Sequence, residues 1–209
     1  MPSHGSFGIF LATAILLAIT PGPGIFYVLA RSLRGGRSEG IASTLGTAVG
    51  GMAHVVAAAF GLSALLASSA VAFSIVKYAG AAYLLFLGIR TLLGSDEVPA
   101  INESSSHADS RQAFVQGIIT EALNPKTALF FLAFIPQFIN PHGHVALQFL
   151  LFGSTSVVLN SAVDLIVAVA AGPIGHLLRS SARFRQRQRL ATGTALIGLG
   201  AYAALTRNH

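Results

Sequence analysis

The sequence predicts an all-α integral membrane protein with six transmembrane helices, arranged as two inverted three-helix repeats whose first and fourth helices are broken at proline. Three observations support this fold class. The chain is 53% hydrophobic and only 10% charged, whereas soluble domains contain about 25% charged residues. Asp, Glu, Lys and Arg are absent from 1–30, 40–76, 127–163 and 190–206. Prolines also interrupt the first apolar segment of each half.

Six apolar segments are long enough to cross a bilayer, whose core needs roughly 20 apolar residues in a helix. They are 6–31, 41–67, 71–93, 112–139, 145–176 and 190–206. The polar segment 94–111 separates them into a first three-helix repeat, 1–93, and a second one, 112–209. We expect this segment to be a flexible cytoplasmic linker, because its composition cannot form an apolar core.

The arginines predict the orientation of the chain. Ten of the 13 Lys and Arg residues lie in the first, third and fifth connections, including the basic run at 177–189. Positive residues concentrate on the cytoplasmic side of a membrane, so both termini are predicted to face outward. The basic run fits a topology anchor on anionic lipid better than a regulatory or nucleic-acid-binding patch, and no nucleic-acid partner is predicted.

The first span is interrupted by the sequence Pro21-Gly22-Pro23-Gly24. Proline removes a backbone donor and clashes with the preceding helical turn. Backbone freed at membrane depth is tolerated only where protein or a water-filled cavity covers it. The new half-helix begins with free N–H groups, which attract anions such as a carboxylate. A simple packing kink is the alternative interpretation.

A matching break occurs in the fourth span, at Asn124-Pro125. Aligning Pro21 with Pro125 also places Phe10 opposite Phe114. Because each half has an odd number of spans, the second half enters the membrane from the other side, as in transporters with inverted repeats. The two breaks in register therefore predict a substrate site between them.

Three charged residues lie inside predicted spans, namely Glu121, Lys126 and Asp164. Each costs about 2.5–3.5 kcal/mol near the bilayer centre unless it is paired, protonated or functional. Lys126 is a candidate for binding a substrate carboxylate, or an internal partner of Glu121 or Asp164. Asp164 continues the four-residue spacing of Ser156 and Asn160. It can bind an ammonium group, carry a proton or pair with Lys126.

A further proton-coupling candidate, in addition to Glu121 and Asp164, is His54 in the second span. His54 shares a helix face with Thr47, and it either lines the cavity and relays protons or forms a neutral hydrogen bond to another helix. Gly46 and Gly50 form a small-xxx-small pair, which predicts the close approach of a neighbouring helix.

The sequence contains no cysteine, which excludes disulfides and thiolate metal sites. No hydrolase, metalloprotease or nucleotide-binding motif is present. We therefore predict no catalytic residues, no cofactor and no metal site. Two other functions stay open, a membrane carrier for another small solute or cation and a non-transporting membrane scaffold. The sequence is also compatible with a homo-oligomer.

Over nearly the whole chain, these motifs resemble the LysE/RhtB family of bacterial amino-acid exporters. The similarity is carried by TPGP at 20–23, the G-xxx-G-xxx-H pattern of the second span, KYAGAAYLLFLGIRTLL at 77–93, NPKTALFFLAFIPQF at 124–138 and VDLIVAVAAGPIGHLLRS at 163–180. The resemblance implies an inner-membrane carrier that exports an amino acid or a derivative, coupled to proton entry.

The resemblance also implies a set of site residues, which by position are Pro21, Pro23, His54, Asn124, Pro125, Lys126 and Asp164. Glu121 departs from the family pattern, in which a neutral residue such as Asn is more usual. This extra acid either shifts selectivity toward a cationic group or pairs with Lys126. As a hypothesis, the half-helix N-termini and Lys126 receive the substrate carboxylate, and Asp164 with Glu121 receives the amine.

Overall fold

The computed structural model describes residues 4–64, 69–94, 109–140, 143–174 and 181–205, and these residues contain helices, short turns and no strand. The helices are α1 (His4–Ile19), α2 (Pro23–Ala57), α3 (Ala70–Leu93), α4 (Ser110–Ala122), α5 (Pro125–Leu129), α6 (Val145–Val169) and α7 (Ala182–Leu205). A π-helical turn, Ala58–Leu62, continues α2. A second one, Phe130–Phe134, and a 3-10 turn, Ile135–Phe138, continue α5. The predicted all-α class is confirmed for the described part of the chain.

Both predicted helix breaks are present. α1 ends at Ile19 and α2 begins at Pro23, while α4 ends at Ala122 and α5 begins at Pro125. Each new helix thus starts with a proline, which needs no N–H partner there and has the correct φ for a first helical residue. The α4 axis and the segment Pro125–Phe138 meet at an angle of 41°.

The predicted connection between the first two spans is almost entirely helical. Within α2, Gly36 alone leaves the helical conformation, with φ 72° and ψ −166°, and this positive φ is readily available only to glycine. A Cβ atom on Gly40 would lie 2.2 Å from Oγ of Ser32. Ser32 and Gly40 lie side by side because the chain reverses direction at Gly36.

The glycine pair of α2 lies against α4. A Cβ atom on Gly46 would lie 2.1 Å from the carbonyl oxygen of Phe114, and one on Gly50 would lie 2.6 Å from that of Ile118. The predicted close approach of a second helix is confirmed. α2 also packs on α6, and α3 packs on α7.

The core contains several large aromatic side chains, while other apolar side chains face outward. Phe10, Phe149 and Phe152 are fully buried, whereas Phe60 is 68% and Val158 is 66% exposed. Outward apolar surface of this kind is expected where lipid rather than water surrounds a protein.

By length and hydropathy alone, two helical segments of the described residues can cross a membrane, Pro23–Leu62 and Val145–Val169, the first counted as one helix across the reversal at Gly36. The bent pair Ser110–Ala122 and Pro125–Phe138 is a third if it forms one broken span. The six-span inverted repeat stays a prediction. Residues 95–108 of the predicted linker and 175–180, which include the start of the basic run, lie outside the described part.

The contact at Gly46 leads to a prediction about stability. We expect Gly46→Ala to destabilise the protein by about 1–3 kcal/mol, because the new methyl group overlaps a backbone carbonyl that cannot move alone. Gly61→Ala is the matched control, since no atom lies within 4 Å of its added Cβ. Thermal unfolding of the two purified variants in detergent measures the difference, and equal midpoints would contradict this packing.

Candidate functional site

A narrow cavity lies where the two helix breaks meet. Its volume of about 30 Å³ leaves room for about two water molecules, whereas ordinary ligand pockets measure about 300–1,000 Å³. Its polar lining comes from both breaks, from α2 and from α6. The polar and glycine residues that line it are Gly22, Gly24, Thr47, Gly51, Glu121, Asn124, Lys126, Thr127, Ser156, Asn160, Ser161 and Asp164. The cavity must widen before it can hold an amino acid.

Lys126 binds the interrupted end of α1. Its Nζ atom donates hydrogen bonds to the carbonyl oxygens of Leu17 at 2.9 Å and Thr20 at 2.6 Å. Carbonyls in the last turn of a helix lack their usual backbone partners, although the Leu17 carbonyl also accepts from the backbone N–H of Thr20 at 3.2 Å. A positive charge there also interacts favourably with the helix dipole. Within the described residues, no ion pair of 4.0 Å or less joins Lys126 to Glu121 or Asp164.

The second break is stabilised by side chains from its own segment. The Oδ1 atom of Asn124 accepts a hydrogen bond from the backbone N–H of Lys126 at 3.1 Å, which caps the start of α5. The Nδ2 group of Asn124 donates to Oε2 of Glu121 at 2.9 Å. The hydroxyl group of Thr127 donates to Oε1 of Glu121 at 2.6 Å. These bonds hold the Glu121 carboxylate in one orientation.

Glu121 also faces the start of α2. A Cβ atom on Gly24 would lie 2.7 Å from Oε2 of Glu121, so the missing side chain makes room for the carboxylate. A negative charge is favourable at the N-terminus of a helix. The groups expected to meet a substrate carboxylate, namely the two helix N-termini and Lys126, are therefore contacted by the protein itself in this conformation.

Asp164 is the second acid at the cavity and is 5% exposed. Its Oδ2 atom accepts a hydrogen bond from the hydroxyl group of Thr47 at 2.9 Å. Ser156 and Asn160 line the same cavity, so the polar face predicted from their four-residue spacing is confirmed. The two acids approach the cavity from different helices, which suits a ligand with a positive charge.

His54 contacts the second break from outside the cavity lining. Its Nε2 atom lies 3.0 Å from the carbonyl oxygen of Glu121. Because a carbonyl only accepts, Nε2 must carry the proton and donate. The ring also stacks on Phe131, with 5.9 Å between the centroids. The structure thus has the cross-helix hydrogen bond that was one of the two interpretations, and a proton relay through His54 stays a prediction.

Apart from His54, the predicted site residues fall into two groups. Those that line the cavity are Gly22, Gly24, Glu121, Asn124, Lys126 and Asp164, and those that shape the breaks without lining it are Pro21, Pro23 and Pro125. Thr127 also lines the cavity but was not predicted, although its place directly after Asn-Pro-Lys marked it as part of the break. The buried Glu39 was not predicted either, since it lies in a basic connection and carries no motif.

The contacts of Lys126 lead to a second prediction. We expect Lys126→Met to lower the free energy of unfolding by about 1–3 kcal/mol without any substrate present, because the Thr20 carbonyl loses its buried donor and the Leu17 carbonyl loses one of its two donors. Asp164→Asn is the matched control, since it changes a charge at the same cavity and keeps an oxygen for Thr47. Chemical denaturation in detergent measures both variants. A Lys126→Met protein as stable as the control would contradict a structural role for the ammonium group.

Known proteins resemble the chain over almost its full length. Residues 15–207 match the LysE type translocator family. An uncharacterised membrane protein of Vibrio cholerae is 31% identical, covering 95% of this chain and 96% of its own. A homoserine/homoserine lactone efflux protein of Salmonella typhimurium is 30% identical, with the same coverage of 95% and 96%.

Another relative matches the chain over a similar extent. The uncharacterised membrane protein YrhP of Bacillus subtilis is 29% identical, covering 94% of this chain and 97% of its own. No solved structure matches the chain. The family match, together with these full-length similarities, identifies the chain as a member of the LysE type translocator family, which are membrane transporters and not enzymes.

Proposed function

We propose that the protein exports an amino acid or an amino-acid derivative from the cytoplasm across the inner membrane, in exchange for protons. The observation that carries this proposal is the meeting of Glu121 and Asp164 at one cavity between two broken helices. Intramembrane acids are costly and usually mark a substrate or proton pathway. The relatives named as homoserine/homoserine lactone efflux proteins support the same direction of transport.

The proposed architecture is a pair of inverted three-helix repeats, 1–93 and 112–209, joined by the cytoplasmic linker 94–111. The two breaks in register support it, as does the pairing of α3 with α7, the last helix of each proposed repeat. Rocking of one repeat against the other would open the cavity to each side in turn. Both termini would then face outward.

We propose that the substrate is recognised mainly through its ammonium group, by Asp164 with Glu121. Two acids and one lysine line the cavity, and that lysine is engaged by carbonyl groups of α1. The remaining negative charge favours a cation. Homoserine and its lactone share an ammonium group, and of the two only homoserine has a free carboxylate, so this recognition fits both compounds named for the relatives.

The remaining lining groups complete the proposed binding site. Gly22 and Gly24 allow close approach to the backbone, and Asn124 and Lys126 hold the ends of the broken helices. The prolines Pro21, Pro23 and Pro125 keep those ends open. A substrate carboxylate would reach Lys126 only by competing with the carbonyls of Leu17 and Thr20 when the cavity widens.

Proton coupling would follow because the substrate ammonium group and a proton compete for the Asp164 carboxylate. Asp164 holds the ammonium group while the cavity faces the cytoplasm, and it takes a proton from the periplasm once the substrate has left. The protein with protonated Asp164 then reorients until the cavity faces the cytoplasm, where Asp164 releases the proton. Glu121 and His54 are the other proton-coupling candidates.

An efflux measurement tests the proposed function. Cells that produce the protein and are loaded with a mixture of dipeptides should release a small set of amino acids or derivatives, which mass spectrometry of the medium identifies. Cells with Asp164→Asn should release no more than cells without the protein, because the variant cannot form the ion pair with the substrate. Arg37→Gln changes an exposed charge away from the cavity and should leave release unchanged. Identical media from all four strains would refute export of these compounds.

A second measurement tests the proton-coupling role of Asp164. In liposomes with an imposed pH gradient, we expect Asp164→Asn to slow uphill transport of the identified substrate by about tenfold or more, because an amide takes up no proton. Glu121→Gln removes the other acid and should keep its dependence on the gradient. Uphill transport by Asp164→Asn at the wild-type rate would rule out the proposed proton site.

A further inference from the structure

A second buried charge cluster lies outside the cavity. Among the described residues, Glu39 is the most deeply buried charged side chain, with no exposed surface. Its Oε2 atom lies 3.1 Å from Nη1 of Arg31 and 3.9 Å from Nη2 of Arg34. Arg31 is also buried and donates through Nη2 to Oε1 of Gln116. We call Arg31, Glu39 and Gln116 the ion-pair layer.

The ion-pair layer joins the turn of α2 to the beginning of α4. The Oε1 atom of Glu39 accepts a hydrogen bond from the backbone N–H of Asp109 at 3.1 Å, directly before α4. The hydroxyl group of Tyr27 donates to the carbonyl oxygen of Ala113 at 2.6 Å. The Tyr27–Ala113 bond bridges the two proposed repeats, and the Glu39–Asp109 bond joins the first repeat to the end of the proposed linker.

The layer lies on one side of the cavity, along the same helices. Gly24, Thr47 and Glu121 line the cavity, and they are seven, eight and five residues from Arg31, Glu39 and Gln116 respectively. At a rise of 1.5 Å per residue, the layer is about 8–12 Å from the cavity. Its side of the membrane is the one that the arginine distribution assigns to the cytoplasm.

In the other direction along α6, contacts of a different chemistry follow: Phe152 lies four residues before the cavity residue Ser156. The ring centroids of Phe10 and Phe152 are 4.6 Å apart, and those of Phe10 and Phe138 are 5.6 Å apart. We call these three rings the phenylalanine layer. Aromatic contacts thus lie toward one end of the cavity-lining helices, and hydrogen-bonded charges lie toward the other.

We propose that the ion-pair layer is the cytoplasmic gate of the transport path, which separates to admit substrate and forms again behind it. This inference rests on the proposed export function and orientation. The three residues do not line the cavity and are therefore positioning residues, which control access rather than bind substrate.

A network of charged side chains suits a gate on the aqueous side, because water that enters when the gate opens can hydrate the charges. A buried ion pair that loses one partner leaves an uncompensated charge in a dry environment, which is strongly unfavourable. When the α2 turn and α4 move apart, water hydrates Arg31 and Glu39 together. The free-energy difference between the closed and open states therefore stays small, so substrate binding can shift the population between them.

The test measures access to the cavity from each side of the membrane. Because the chain has no cysteine, Ser156→Cys places a single thiol at a cavity position that is 2% exposed. A membrane-impermeant maleimide is applied to inside-out vesicles, which present the cytoplasmic face, and to right-side-out vesicles. With Glu39→Gln added, we expect labelling in inside-out vesicles to accelerate by about tenfold, because the unpaired Arg31 shifts the population toward the open gate.

Two controls separate gating from loss of fold. Arg37→Gln, in the same turn but exposed, should leave labelling unchanged, and the exchange of Arg31→Glu with Glu39→Arg should return it toward the slow rate. Unchanged labelling with Glu39→Gln would overturn the proposal, and so would equal acceleration from both sides, which indicates general unfolding. Failure of amino-acid release by the wild type would refute the proposed cargo while leaving the sided labelling result intact.

Discussion

The ammonium group of Lys126 on the carbonyls of Leu17 and Thr20 is the contact on which the rest of the structure depends. Lipid tails cannot satisfy the backbone groups that a broken helix exposes inside a bilayer. The two breaks lie against each other, so that Lys126 from the second break caps the end of α1 at the first. His54 does the same for a carbonyl at the end of α4, and Asn124 does so for the start of α5.

The same arrangement determines the charge balance at the cavity. Lys126 is directed at carbonyls of α1, and the Glu121 carboxylate is held by Asn124 and Thr127 against the start of α2. Asp164 has a simpler environment, with a hydrogen bond from Thr47. It is therefore the acid that is best able to exchange partners, whereas Glu121 would have to give up several contacts. Structure and charge thus give the two acids different proposed roles.

The sequence predicted the features whose cause is local. The breaks follow from the chemistry of Pro23 and Pro125, and the polar face of α6 follows from the spacing of Ser156 and Asp164. The partners of Lys126 could not be predicted, because backbone carbonyls leave no mark in a sequence and lie more than a hundred residues away. Glu39 was missed for a related reason. A single acid among arginines near a predicted span end resembles a solvated surface residue, and only its partners reveal that it is buried. The inverted repeat, the linker and the outward termini remain predictions.

The capping of α1 by Lys126 has a consequence for biosynthesis. The donor follows its two acceptors by 109 and 106 residues, so the ribosome has synthesised residues 1–93, the proposed first repeat, before it adds Lys126. α1 has 16 residues and measures about 24 Å, less than the roughly 30 Å hydrocarbon core. During translation the carbonyls at the end of α1 must accept hydrogen bonds from water, lipid head groups or the insertion machinery. Until Lys126 has been synthesised and inserted, the end of α1 therefore lacks the ammonium group that caps it in the folded protein.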